Sequence, residues 1–204
     1  MRSLAEASRQ PDLADIDQRV TLRRVRWKDY EAVLKLRDPE DPVRATYLEG
    51  KLELTSLCEL HRSSSRRLNS LLAAFAVERG IDLVGSLTCS LKSQALGRGI
   101  EPDGSYLLGP SRPEEDGLPN IALDVVVTPG GIPRLEVYRG LGVQEVWFWR
   151  DEQLKFYAGR DHGFEQVESS ELLPAFDPTL VGRFMQGSHD EEAVQAFRQV
   201  VRVA

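Results

Sequence analysis

Apolar positions along this chain change period from segment to segment, and the changes predict its elements. Across Thr46–Thr55, Tyr47, Glu49, Lys51 and Glu53 are set against Leu48, Leu52 and Leu54 about a turn-like Gly50, a pattern near the period of two of a pleated strand, which predicts a hairpin or a bent strand. The spacing on either side is helical. Trp27–Leu36 carries Tyr30, Val33, Leu34 and Leu36 as one stripe, and Asp38-Pro39-Glu40-Asp41-Pro42 then breaks it. The longest helical pattern, Cys58–Arg79, places Leu68, Leu71, Leu72, Phe75 and Ala76 on one side, with Gly80 positioned to cap it. Short strands are predicted at Ile81–Val84, Thr88–Lys92 and Ser105–Leu108, followed by a charged loop over Pro110–Pro119. Ile121–Val127 is an apolar, largely β-branched run broken by Asp124 alone, the signature of a strand buried on both faces. Pro129-Gly130-Gly131 then turns into a helix with the stripe Ile132, Leu135, Val137, Tyr138 and Leu141, ended by Gly142. Val143–Trp149, Leu154–Tyr157 and Phe164–Val167 predict a meander of strands, and Asp190–Val201 a closing amphipathic helix. Trp147 and Trp149 bracket Phe148 in strand alternation and read as packing groups. The order is that of an α/β protein with a central mixed sheet flanked by helices: residues 1–24 form a loosely ordered lead-in and 25–204 a single domain.

Composition sharpens this picture. With 204 residues, 41% of them hydrophobic, the chain can bury one good core. It has no run of about eighteen apolar residues, and its polar start lacks a signal-peptide core. Two cysteines, Cys58 and Cys89, are too few for a disulfide framework or a zinc site, so a reduced, cytoplasmic setting is expected. A net charge of −6 argues against a dedicated nucleic-acid binder with a broad basic face. It leaves room for one local basic patch, His61-Arg62-Ser63-Ser64-Ser65-Arg66-Arg67, where Arg62, Arg66 and Arg67 are candidate contacts to nucleic acid.

The chemistry rests on two acids. Asp124 lies inside an apolar strand, where a carboxylate is costly unless it is paired, protonated or bound to a metal. Asp103, in Glu101-Pro102-Asp103-Gly104, precedes the neighbouring strand. Two acids converging from adjacent strands at one sheet edge are how a Mg²⁺ site for phosphodiester hydrolysis is built. Each residue also has a plainer reading: a turn acid for Asp103 and for Glu49 beside Gly50, a salt bridge to an arginine for Asp124, a helix-start residue for His61, and a solvated first-turn charge for Arg134.

Several segments, taken in order, resemble a known family: Tyr47–Leu54, His61, Glu101-Pro102-Asp103, Leu123–Ile132, and Arg134–Trp149. The chain resembles the Uma family of restriction-endonuclease-like proteins, within the PD-(D/E)xK nuclease superfamily, over roughly residues 25–185. The resemblance implies a restriction-endonuclease-like fold. It implies that Asp103 and Asp124 ligate Mg²⁺ (or Mn²⁺), that Glu49 binds the metal directly or through water, and that His61 touches a phosphate or shuttles a proton. The lysine of the family's acid-x-lysine element would fall at Val126, and the basic group is carried instead by Arg134 on the following helix. Arginine neutralises a phosphate but cannot act as a general base. As an exposed first-turn residue, Arg134 is expected to contribute little to stability. The expected function is a Mg²⁺-dependent endonuclease acting on DNA, most simply as a homodimer. The alternative is a catalytically reduced nuclease fold serving as a DNA-binding or dimerisation module. Two-carboxylate glycoside hydrolysis fits poorly, because nothing identifies sugar platforms or an acid of raised pKa.

Overall fold

Alternation and turn chemistry produce the first sheet. Strands β2 (Val43–Leu48) and β3 (Lys51–Ser56) pair antiparallel through a two-residue turn with Glu49 at φ +46° and Gly50 at φ +85°. Positive φ at both turn positions is what the twist of a tight hairpin demands. The computed structural model describes residues 16–38, 41–85, 90–109, 118–186 and 190–203. β1 (Gln18–Arg23) pairs with the outer edge of β3, so part of the stretch read as a lead-in is a strand. Helix α1 (Trp27–Leu36) follows it. β5 (Leu91–Ser93) and β6 (Arg98–Ile100) complete an antiparallel five-stranded sheet in the order β1-β3-β2-β6-β5. The predicted strand over Thr88–Lys92 thus survives at its end, and Thr88 and Cys89 lie outside the described residues, as do 110–117 of the charged loop.

Helix α2 (Glu59–Arg79) starts where Cys58 accepts the His61 N–H on its thiol sulfur, and stops where Gly80 turns left-handed at φ +62°. The second sheet is six-stranded and mixed, in the order β11-β10-β9-β8-β7-β4: β4 (Leu83–Gly85), β7 (Gly104–Leu108), β8 (Ile121–Val126), β9 (Glu145–Arg150), β10 (Gln153–Arg160) and β11 (Gly163–Val167). Its parallel pair is β8–β9, joined through the short helix α3 (Arg134–Tyr138). The helix predicted up to Gly142 ends early because Gly140 and Gly142 both take φ +80°. Its apolar residues Ile132, Val137, Tyr138 and Leu141 are nonetheless buried.

β8 is covered on both faces, as its apolar run predicts. Leu123 and Val125 join Trp147, Trp149 and Phe156 under a layer formed by α2, α4 (Pro178–Phe184) and α5 (Asp190–Val203). Trp147, wholly buried, stacks on Phe176 at 5.3 Å and meets Phe156 edge-on at 5.0 Å, so it is a packing residue, as its alternation suggests. Ala122, Val146 and Phe148 face the other way, against Val137 and Tyr138 of α3 and Leu91 and Ile100 of the first sheet. Asp124 belongs to this second face, between the two sheets. The architecture is α/β, with a central mixed sheet covered by helices on one face and by α3 and the first sheet on the other.

Candidate active site

Register brings the sequence's candidate acids together. Asp103 sits one residue before β7 and donates its N–H to Leu123 O at 2.9 Å, which fixes it at the end of the β7–β8 ladder. Its Oδ2 accepts the Val125 N–H at 2.7 Å and lies 2.9 Å from His61 Nε2. The other imidazole nitrogen, Nδ1, is 2.9 Å from Oδ2 of Asp17. Asp17 is held in turn: its Oδ1 accepts the Cys58 N–H at 3.0 Å, and its own N–H donates to Thr128 Oγ1 at 3.0 Å. One histidine in the first turn of α2 therefore bridges two carboxylates, all three side chains being buried. Burial opposes charge on the imidazole, but the hydrogen bonds and charges of Asp103 and Asp17 outweigh it and raise the His61 pKa to about 9. With both ring nitrogens donating, the group is an imidazolium at neutral pH. Burial also opposes ionisation of Asp103 and Asp17, yet the bonds to His61 hold both below the usual carboxylate range.

Asp124 has a different environment. It is fully buried; Arg134 Nη1 donates to its Oδ1 at 2.6 Å and the Tyr138 hydroxyl to its Oδ2 at 2.9 Å. Burial pushes its pKa up in spite of Arg134, and the charge of Asp103 pushes the same way. Two acids on adjacent strands are thus driven apart in pKa, the usual mark of a site where carboxylates differ in role. Tyr138 is likewise raised, by burial and then by Asp124. Arg134, 17% exposed, is the first residue of α3, and burial of its charge is more than offset by Asp124 and Asp103.

Carboxylate oxygens are the right donors for Mg²⁺, but their arrangement here is not an open cation site. Both oxygens of Asp124 and Oδ2 of Asp103 already accept hydrogen bonds, and among the described residues no three His, Cys, Asp or Glu side chains converge to hold an ion. The residues as placed do not fit a shared metal. Glu49 stays away from the acids, exposed at the β2–β3 turn, where its N–H donates to Gly97 O at 2.8 Å. The buried acid of β3 is Glu53, which accepts the Ile132 N–H at 3.1 Å and packs against Gly131, where a Cβ would come within 2.5 Å of its Oε2.

A cleft of about 420 Å³ opens beside this constellation, lined among others by Asp17, Arg19, Glu53, Arg134, Arg150 and Lys155. Four cations face two carboxylates there, in a chain whose net charge is −6. The local excess is what an anionic ligand would meet. Arg19 is aimed by hydrogen bonds to the carbonyls of Thr128 and Pro129. Asp17, Arg19, Glu53, Arg150 and Lys155 are site residues that no motif in the sequence singles out.

The basic patch of α2 divides. Arg62 and Arg66 are solvent-facing and share Glu59, whereas Arg67 is buried, bonded to Asp190 at 2.6 Å and to Met185 O at 2.9 Å. Arg67 clamps α2 to α5 and does not face solvent, which corrects its assignment as a nucleic-acid contact. Arg67→Ala is expected to lower stability by about 2–3 kcal/mol in urea unfolding, and to leave the salt dependence of any DNA binding unchanged.

A mixed sheet with two acids at the β7–β8 edge, a cationic residue on the next helix and a basic cleft beside them defines a nuclease-type fold. A family model described as Uma2, putative restriction endonuclease, matches residues 27–184, well over half of the chain, and the chain belongs to that family. No curated protein matches it. Among the described residues no helix is long and apolar enough to cross a membrane.

Proposed function

We propose that the chain is an endonuclease that binds DNA in this cleft and hydrolyses its phosphodiester bonds beside Asp103 and Asp124. The observation that supports this best is the cationic lining of the cleft next to two buried acids of divergent pKa. In this reading Arg19, Arg150 and Lys155 neutralise phosphate oxygens. Arg134 presents the rest of its guanidinium to the cleft while one nitrogen stays on Asp124. His61 holds a proton between Asp17 and Asp103 and keeps Asp103 oriented. Arg62 and Arg66 supply outlying contacts along the duplex, and a two-fold dimer would bring two clefts to the two strands. Membership in the family points to Mg²⁺ or Mn²⁺ as cofactor, whose chemistry would be neutralisation of charge at the phosphate. The carboxylates as arranged offer it no open set of oxygens, so the proposal rests on charge and placement. That closure of Asp124 by Arg134 and Tyr138 favours the second reading, a DNA-binding module of reduced catalytic power.

Fluorescence anisotropy with a short duplex tests where the DNA lies. Arg19→Ala is expected to weaken binding and to shallow the log affinity against log salt slope by about one unit. An Arg19→Ala protein that binds like wild type, alongside an Arg62→Ala/Arg66→Ala protein that does not bind, would move the DNA off the cleft.

A further inference from the structure

The strand lysine of the nuclease motif is missing, since position 126 is a valine. Val126 shares the face of Asp124 by alternation and lines the cleft, so the place exists without its cation. Arg134, the basic group on the following helix, is committed to Asp124, and the register across the sheet offers a second cation. Asp124 of β8 pairs with Phe148 of β9, and Phe148 pairs with Lys155 of β10. Residues in one cross-strand row project to one face, so Asp124, Phe148 and Lys155 lie side by side on the cleft side of the sheet. Two strand spacings put the Cα atoms of Asp124 and Lys155 about 10 Å apart. A lysine stem is long enough to bring its ammonium over the intervening Phe148 ring, which also lines the cleft.

Lys155 is half-buried, and among the described residues no carboxylate lies within ion-pair distance of its ammonium. The other cleft cations are partly engaged: Arg134 by Asp124, Arg150 by Asp151 at 3.2 Å, and Arg19 by two carbonyls. A lysine of this kind usually buries its stem and turns its charge to water. Here Lys155 lines the open cationic cleft, in the same cross-strand row as the acid that the motif pairs with a lysine.

We propose that Lys155 is the phosphate-binding lysine of this site, supplied from β10 in place of the lysine absent from β8. Its ligand is the phosphodiester of a polynucleotide, held between the ammonium and the Arg134 guanidinium on either side of Phe148. This rests on the reading of the cleft as the DNA site, and it names the residue that makes the closest charge contact there.

The test is DNA binding by anisotropy over a salt series, with wild type, Lys155→Met and Lys155→Arg. Methionine keeps the packing of the stem and removes the charge. Lys155→Met is expected to bind about threefold to tenfold more weakly near physiological salt, with a slope shallower by about one unit, the loss of one phosphate contact. Lys155→Arg is expected to keep the wild-type slope. Adding Val126→Lys to Lys155→Met, which returns the cation to the motif position, is expected to restore the slope. Lys155→Gln serves the same comparison if the methionine protein does not fold. Wild-type affinity and slope in the folded, uncharged variant would overturn the assignment of Lys155 and leave the DNA site standing. A wild-type protein that binds no duplex at any salt would overturn both.

Discussion

Replacing Arg134 by alanine is expected to destabilise the protein by about 3–5 kcal/mol at neutral pH, because it removes one partner of a buried ion pair. This reverses the expectation for an exposed first-turn arginine. Asp124 is wholly buried, and Arg134 Nη1 sits 2.6 Å from its Oδ1. Without the guanidinium the carboxylate keeps the Tyr138 hydroxyl at 2.9 Å and loses its counter-charge. The loss depends on pH in a defined sense. Asp124 already has a raised pKa when folded, through burial above all, and removal of Arg134 raises it further. Between the unfolded value of about 4 and this higher folded value, the folded state binds more protons than the unfolded. Stability of the variant therefore falls as pH rises through that window, and its deficit is smallest in acid. Urea unfolding of wild type and Arg134→Ala at several pH values reads this directly. A variant as stable as wild type at neutral pH would show that Asp124 does not depend on Arg134. Any loss of DNA cleavage in Arg134→Ala, on the order of tenfold to a thousandfold for a lost transition-state donor, must be measured where the protein is still folded.

A second large effect is expected from His61. Burial alone would depress its pKa, yet Asp103 and Asp17 raise it from 6.5 to about 9, which corresponds to about 3 kcal/mol. A raised folded pKa means that this stability is fully present below about 6.5 and is lost as pH rises through about 9. Wild type should therefore lose about that much stability between these limits relative to His61→Gln, in which position 61 does not titrate. Nuclear magnetic resonance should find both ring nitrogens protonated at pH 7 and an imidazole titrating near 9. An imidazole titrating near 6.5, with no difference in slope between the two proteins, would mean that the bridge between Asp17 and Asp103 is not a charged one.

What was legible in the sequence follows from how local each signal is. The hairpin at Glu49-Gly50, the helix from Cys58 to Gly80 and the buried strand of Asp124 each carry their own periodicity or cap, and each forms as predicted. Asp103, Asp124, His61 and Arg134 could be singled out because each lies in a recognisable segment, and the fold brings them together. β1 could not be read, because it is an edge strand with Val20 and Leu22 exposed and no apolar face. It exists because β3 offers it a ladder, and Asp17 and Arg19 enter the site only through that pairing. Glu53 looked like the polar phase of a hairpin, but the Gly130–Gly131 turn closes over it and hands it a backbone N–H. Arg67 looked like its neighbours in a basic patch, but it is one residue before Leu68 and is drawn into the α2–α5 contact. Lys155 becomes a site residue through strand register, which is a property of the sheet and of no segment in it.

Hydrolysis at the acids beside the cleft separates an endonuclease from a DNA-binding module. The measurement is conversion of supercoiled plasmid by wild type, Asp103→Asn and Asp124→Asn, each with Mg²⁺, with Mn²⁺ and with chelator. The expected result is nicked or linear product from wild type in at least one of the three conditions, and none from either folded variant in any of them. An intact plasmid with wild-type protein under all three conditions, while the protein still binds DNA through Arg19 and Lys155, would contradict hydrolysis and leave a DNA-binding module in its place.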